Sequence, residues 1–464
     1  MLMATETPLL RPARRLAEMA DTLLKQPLET QAEFDAFYSK QYGQARGVNR
    51  MSHLGVELSR SFARAPFHGF VMGHPGVGKS TEIGRLLLAQ ADRLRPIRIS
   101  AAGELHPGDF RIHDLLWLMV VRLLSETESP VVSGFSKQLS PGLLDDVRKE
   151  MSQTLVKILG IQEREMEGGL DFKILAKIRA ALKISRRRTE ETTEYNYSAL
   201  TDLLEVVNRV FEECNEVLRK EKGQEWIIVV EDFEKVGIEA ELLRRLFFDY
   251  RLLLEALRCH LLFVIPVGLA YTEDAERMPF GPQRQFMIPD IATNTRTDHI
   301  PDEKGLAALL DVIDLRLDPK LLDAELARAV AVASGGNLRD LFDLLGRAGI
   351  AAEARGSERI EREHALESVQ ELRSTYRFRL GESDYAGPES AAIPAKIEKL
   401  VAVYRGSPEA QIPDKTLYAL LRQRMVLQYN GTVWFGVHPL VVDILKETGP
   451  IKPHEPGGTD FSGR

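Results

Sequence analysis

The sequence predicts an α/β fold, a parallel sheet flanked by helices with further helical units after it, and three observations predict it. From Phe67 onward, short apolar runs alternate with helical stretches, the pattern of strand, crossover helix and parallel strand. One run, Trp226–Val230, is apolar throughout, as in a strand buried on both faces. The chain has 464 residues, 44% of them hydrophobic and 28% charged, which is ample material for a core and too much for a single one.

Composition excludes several classes. A net charge of −7 provides no chain-wide basic field, so contact with nucleic acid or an anionic surface has to be local. Cys214 and Cys259 are the only cysteines, too few for a disulfide framework, and they fit a reducing compartment. The longest apolar runs, Leu115–Leu124 and Leu261–Tyr271, fall short of the ~20 residues that span a bilayer. No apolar stretch or cleavage site follows Arg11, Arg14 and Arg15, so no signal peptide is expected. A cytoplasmic protein without membrane contact is the expectation.

Taken in order, residues 1–60 mix charged and small residues with Phe34, Phe37, Tyr38 and Tyr42, predicting a helical lead-in that packs on a larger body. A core over 61–300 has candidate strands Phe67–Met72, Pro96–Ala101, Trp226–Val230, Leu261–Val267 and Gln285–Ile291. A long helical insert at about 125–195 separates the second strand from the third. The helix Tyr195–Lys220 then places Leu203, Val207, Val210, Phe211, Cys214 and Leu218 on one stripe. Within the insert, Lys173, Lys177, Arg179, Lys183 and Arg186–Arg188 form a basic stretch. It reads either as a solvated face balanced by Glu163, Glu165, Glu167, Glu190 and Glu191 or as a contact for a phosphate backbone or an acidic partner. Helices resume over 301–380, Gly381–Ala392 reads as a linker, and a compact unit fills 391–447. The Gly- and Pro-rich tail, 448–464, predicts disorder.

The chemistry centres on Gly73-His74-Pro75-Gly76-Val77-Gly78-Lys79-Ser80, with Thr81 following. This matches G-x-x-x-x-G-K-[ST], the P-loop pattern. Glycines open backbone angles closed to other residues and bring N–H groups against phosphate oxygens. Lys79 offers a point charge to β- and γ-phosphates, and Ser80 a hydroxyl to Mg²⁺. An apolar strand precedes the loop, and Ile83, Leu86, Leu87 and Leu94 recur after it with helical spacing. The loop therefore opens a helix whose dipole favours anions. ATP with Mg²⁺ is the expected cofactor. A metal-holding acid and a water-orienting acid are needed at the end of a neighbouring strand, and Glu231 and Asp232 stand directly after Trp226–Val230.

The loop, the run Glu231-Asp232-Phe233-Glu234-Lys235 and the turn Ser334-Gly335-Gly336-Asn337-Leu338-Arg339-Asp340 together resemble the AAA+ and STAND ATPases of the origin-recognition type. The resemblance covers about residues 60–447. It implies a P-loop NTPase sheet, a helical lid and a small winged-helix domain, with ATPase activity. It makes Arg339 the lid arginine that reaches the γ-phosphate. Glu231 and Asp232 are expected to be catalytic, with Glu231 also holding the metal beside Ser80, and the division of labour between the two acids stays open. Two departures stand out: Glu231 replaces the usual Asp, and no polar sensor follows Leu261–Val267 before Tyr271 and Thr272. Arg277 and Arg284 lie where an arginine reaching a neighbouring subunit would sit.

Ile393–Tyr404, Pro413–Arg424, Met425–Tyr429, Asn430-Gly431 and Thr432–Val437 read as helix, helix and a hairpin closed by a two-residue turn, the order of a winged helix. Two functions follow. One is a nucleotide-driven switch in bacterial signalling or defence, with a protein partner or self-assembly. The other is a DNA-handling ATPase, a loader or transposition regulator. Lys415, Arg422 and Arg424 suit DNA, but the wing Gln428–Phe435 has no Lys or Arg, which suits a protein contact. A small-molecule kinase has no place for the lid or the terminal unit. His438, beside Pro439, reads as structural.

Overall fold

The structure, a computed structural model, describes residues 9–47, 50–61, 65–106, 108–127, 197–235, 240–271, 273–381, 391–429, 434–459 and 461, with a few more between 139 and 183. Most of the insert, the linker and the Asn430-Gly431 turn lie outside the described residues. Of the basic stretch, Arg179 and Lys183 are described: Arg179 pairs with Glu104 at 2.6 Å, and Lys183 is exposed.

Five strands form one sheet: β1 (His68–Gly73), β2 (Leu94–Ser100), β3 (Glu225–Glu231), β4 (His260–Pro266) and β5 (Gln285–Met287). Their order is β2-β3-β4-β1-β5, and every pairing is parallel. Side chains alternate between faces, as the two-residue period requires. Trp226, Ile228, Val230, Phe70 and Phe263 face one core, built with the helices Ile112–Thr127 and Tyr197–Lys222. Ile227, Val229, Val71, Leu262 and Val264 face the other, which the helices Arg50–Arg60 and Lys79–Leu88 complete. This is the P-loop sheet flanked by helices that the sequence predicts.

One strand is shorter than expected. The run Gln285–Ile291 leaves the sheet after Met287, although the Ile288 N–H still donates to Met72 O at 2.8 Å. Pro289 has no N–H to continue the ladder, and the Asp290 N–H donates instead to Gln428 O at 2.9 Å. The chain is thereby handed from the core to the terminal unit.

The lid consists of helices Glu303–Asp314, Ala324–Ala333, Leu338–Ala354 and Arg362–Leu380. The first three start at side-chain caps: Asp302 accepts from Gly305 N, Asp323 from Leu326 N and Asn337 from Arg339 N, each satisfying an otherwise orphaned N–H. The terminal unit has helices Ile393–Tyr404 and Lys415–Arg422, an antiparallel pair β6 (Val426–Tyr429) and β7 (Trp434–Val437), and helix Pro439–Thr448. Lid, terminal unit and lead-in share one apolar core that includes Leu16, Met19, Leu344, Leu417 and Leu440.

The tail departs from the expected disorder. Ile451 and Phe461 are buried, the Tyr404 hydroxyl donates to Pro456 O at 2.7 Å, and the Thr459 hydroxyl donates to Asp443 Oδ2 at 2.5 Å. Hydrogen bonds to preceding helices hold this segment, and composition does not register them. No described helix is long and apolar enough to cross a membrane.

Phe263 is fully buried, with ring centroids 5.2 Å from Phe247 and 6.1 Å from Phe233. Phe233 sits between the acids Asp232 and Glu234, so this cluster underlies the site. Phe263→Ala is expected to cost about 3–5 kcal/mol, read from denaturant midpoints at unchanged slope.

Candidate phosphate-binding site

The loop leaves β1 at Gly73, crosses His74–Val77 and enters the helix Lys79–Leu88, whose N-cap is Gly78. Gly76 and Gly78 have φ of 87° and 93°, angles that side chains rarely adopt. A Cβ on Gly76 would also lie 2.4 Å from Arg339 Cβ and 2.6 Å from Asn337 Oδ1, so the lid packs directly on the loop. The Lys79 ammonium is buried and donates to Gly73 O and His74 O at 3.0 Å each. Glu234 Oε1 lies 2.9 Å from it.

The acids do not stand on the strand next to the loop. β4 lies between β1 and β3, which corrects the expected adjacency, yet β3 ends at the same edge and its acid reaches across. Ser80 Oγ donates to Glu231 Oε2. An acid one methylene longer than Asp closes this distance without an intermediary. Glu231 Oε1 accepts from Arg98 Nε at 2.6 Å, and Arg98 also donates to Ser80 O at 3.2 Å. Asp232 has φ 70°. Its Oδ2 accepts from Ser100 Oγ at 2.5 Å and pairs with Lys235 at 2.9 Å. Sequence reasoning missed Arg98, Ser100 and Glu234. The signal for the first two is their spacing of two on β2, level with β3, where Ser100 pairs with Glu231 and one face carries both side chains.

The lead-in contributes as well. Arg46 is buried against the loop, donating to Val77 O and pairing with Glu82 at 2.8 Å, while the Tyr38 hydroxyl donates to Glu82 Oε1 at 3.0 Å. A shallow, open cleft beside them is lined by Tyr38, Arg46, Arg50, Glu82, Met287 and Pro289.

Behind the loop lies a buried polar cluster. The Gln428 N–H on β6 donates to His74 Nε2 at 3.2 Å. Asn337 Nδ2 donates to Pro75 O at 3.1 Å and to Asp290 Oδ1 at 2.9 Å. Arg424 donates to Asn337 Oδ1 at 3.2 Å and pairs with Asp340 at 2.9 Å. The Tyr376 hydroxyl donates to Asp340 at 2.6 Å. His438 lies 3.6 Å from Asp340 and 3.2 Å from Ser334 O, so it ties the terminal unit to the lid. Burial alone would raise the Asp340 carboxyl, but Arg424, His438 and Tyr376 hold it below the usual range. Asp290 has weaker support, and burial pushes it up to about 7 against the Asn337 hydrogen bond and the Arg424 charge. Burial, with the charges of Lys79 and Arg424, pushes His74 down to about 3.

Arg339 lies in the first turn of the lid helix, its Cβ against Gly76, and is exposed. Its sequence neighbours are engaged elsewhere, Asp340 with Arg424 and Asp343 with Lys25. Arg284 is bound within the chain, 2.8 Å from Glu57 and over the Phe67 ring. After β4 the first polar side chain of the expected sensor stretch, Tyr271, packs edge-on against Phe435 at 5.3 Å.

No family model matches the sequence, and no curated protein matches it. Among solved structures, the chain is similar to Cdc6p from Pyrobaculum aerophilum, at 14% identity over 89% of this chain and 98% of that one, with a TM-score of 0.36. It is similar to the ORC2 protein of Aeropyrum pernix, at 14% identity over 92% and 96%, TM-score 0.41. A third is a Walker-type ATPase of Pyrococcus abyssi, at 14% identity over 92% and 99%, TM-score 0.44. Overlap at this level carries no argument about activity, which rests on the site's own geometry.

The two buried titrating groups act in opposite directions. An unfolded Asp ionises near its ordinary 3.8, whereas folded Asp290 keeps its proton up to about 7. The folded state binds more protons between these values, and that stability is lost as pH rises through them. For His74, lowered from 6.5 to about 3, the unfolded state takes the proton first, and stability is lost as pH falls from 6.5. Asp290→Asn removes the first effect, while His74, 4.0 Å from Asp290, keeps the burial and the Lys79 and Arg424 charges that lower it. Melting temperatures at about pH 5 and about pH 8 should show the parent's advantage over this variant larger at the lower pH. An equal advantage at both would assign the titration elsewhere.

Proposed function

We propose that the chain binds ATP with Mg²⁺, hydrolyses it, and uses the nucleotide state as a molecular switch in bacterial signalling or defence. The observation that carries this reading is the convergence of Lys79, Ser80 and Glu231 at a helix N-terminus opened by Gly78. The donors suit the group: Lys79 meets phosphate charge, the loop N–H groups from Gly73 to Thr81 cradle phosphate oxygens, and Ser80 with Glu231 holds the metal. Mg²⁺, when bound, neutralises charge on the phosphate oxygens. Asp232, fixed by Ser100 and Lys235, orients the attacking water.

The switch reading is favoured over DNA handling by the terminal hairpin. β6 faces inward, its Gln428 buried and bonded to Asp290 and His74. Of the three basic residues suited to DNA, Arg424 is buried on Asp340. Lid and terminal unit both touch the loop, so a nucleotide that moves the loop moves both. The partner that reads this state is a protein or a second copy of the chain.

Lys79→Ala is expected to abolish Mg·ATP binding, and Asp232→Asn to retain ATP without turnover. Nucleotide affinity within about twofold of the parent in the first variant would sink the nucleotide reading.

Arg339, in the first turn of the lid helix, is proposed to reach the γ-phosphate when lid and core close. One charge-assisted contact contributes roughly 1.5–3 kcal/mol, or roughly a tenfold to hundredfold change in closed population. Arg339→Ala should weaken ATP binding more than ADP binding and reduce ATP-specific compaction in scattering profiles. Compaction that survives unchanged would leave Arg339 a surface residue.

A further inference from the structure

We propose that Glu234 competes with polyphosphate for Lys79, its carboxylate lying where a phosphate oxygen must come, so that the loop admits only ligands charged enough to displace it. This rests on the reading of the loop as a polyphosphate site. An ammonium has three N–H donors. Those of Lys79 meet Gly73 O at 3.0 Å, His74 O at 3.0 Å and Glu234 Oε1 at 2.9 Å, so its capacity is full. The two carbonyls belong to the loop backbone. Glu234 is the charged, rotatable partner, and thus the one that a phosphate can replace.

A second observation points the same way. Glu234 Oε2 is buried and has no hydrogen-bond partner among the described residues. A half-satisfied buried carboxylate is held less firmly than a fully bonded one. Its neighbours have other partners: Glu231 has Ser80 and Arg98, and Asp232 has Ser100 and Lys235.

The backbone sets the aim of this carboxylate. Asp232 takes the left-handed conformation, at φ 70°, and the Lys235 N–H closes the turn on Asp232 O at 3.2 Å. Phe233 anchors the turn in the aromatic core, 5.6 Å from the Phe247 ring. Only the Glu234 side chain has to rotate for Lys79 to change partners. The exchange replaces one negative charge by the greater charge of a di- or triphosphate, whereas a singly charged or weakly held anion gains nothing by it.

Full-length parent and Glu234→Gln would be titrated with Mg·ATP, inorganic pyrophosphate and sulfate, and melted with and without pyrophosphate. The amide keeps shape and an acceptor for Lys79 but removes the competing charge. Expected for the variant are roughly tenfold tighter binding of ATP and pyrophosphate, from loss of one charge-assisted competitor, and measurable sulfate binding absent in the parent. Without ligand it should melt below the parent, because Lys79 is left a buried unpaired charge, and pyrophosphate should restore it. Affinities within about twofold of the parent would reduce Glu234 to a structural counter-charge, and weaker ATP binding would make it a helper of bound nucleotide; either result overturns the proposal. Parent binding without tightening in the variant is a failure of this proposal alone. Failure of both proteins to bind any polyphosphate overturns the nucleotide reading, and this proposal with it.

Discussion

Asn337 is fully buried and uses both ends of its amide. Its Nδ2 donates to Pro75 in the phosphate loop and to Asp290 at the exit of the sheet. Its Oδ1 caps the lid helix through the Arg339 N–H and accepts from Arg424 of the terminal unit. The network forces the orientation of the amide, because Arg424 can only donate and Pro75 O can only accept. Core, lid and terminal unit therefore meet on one side chain. A buried network of this kind is costly when partly broken, which makes the junction suited to two discrete arrangements rather than a graded one.

Around that junction the charges are distributed in pairs. Glu231 faces Arg98, Asp232 faces Lys235, Glu234 faces Lys79 and Asp340 faces Arg424. Burial makes the Lys79–Glu234 and Arg424–Asp340 pairings matter most, since removing one partner strands the other in a low-dielectric setting, whereas Lys235 is exposed. The pairing also means that these cations of the proposed polyphosphate site are already engaged. On the proposed reading, binding there is an exchange of partners at the loop, which also holds Asn337 behind it.

The lead-in and tail are held by the same logic. Arg46 is pinned on the loop and on Glu82, so a segment without a recognisable motif closes one side of the site. The tail rests on Asp443 and Tyr404 by hydrogen bonds. Both segments are polar enough to read as peripheral, and both are ordered by partners far away in the chain.

The sequence by itself determined the glycine-containing loop between β1 and its helix, the position of the strands and the acid-bearing end of β3, because each is local: glycine spacing, uninterrupted apolar runs and the order of adjacent residues carry the physics. It also determined the lid turn and the helix, helix and hairpin order of the terminal unit, for the same reason. Only the tertiary structure decided that β4 separates the loop from the acids, that Arg98 and Ser100 engage those acids, and that Glu234 reaches Lys79. It alone turned β6 inward onto His74, buried Arg424 and ordered the tail. These depend on which strands neighbour one another and on contacts between residues hundreds of positions apart, such as Gln428 and His74. No local pattern encodes such a pairing, since it is selected by the closing of whole cores against each other.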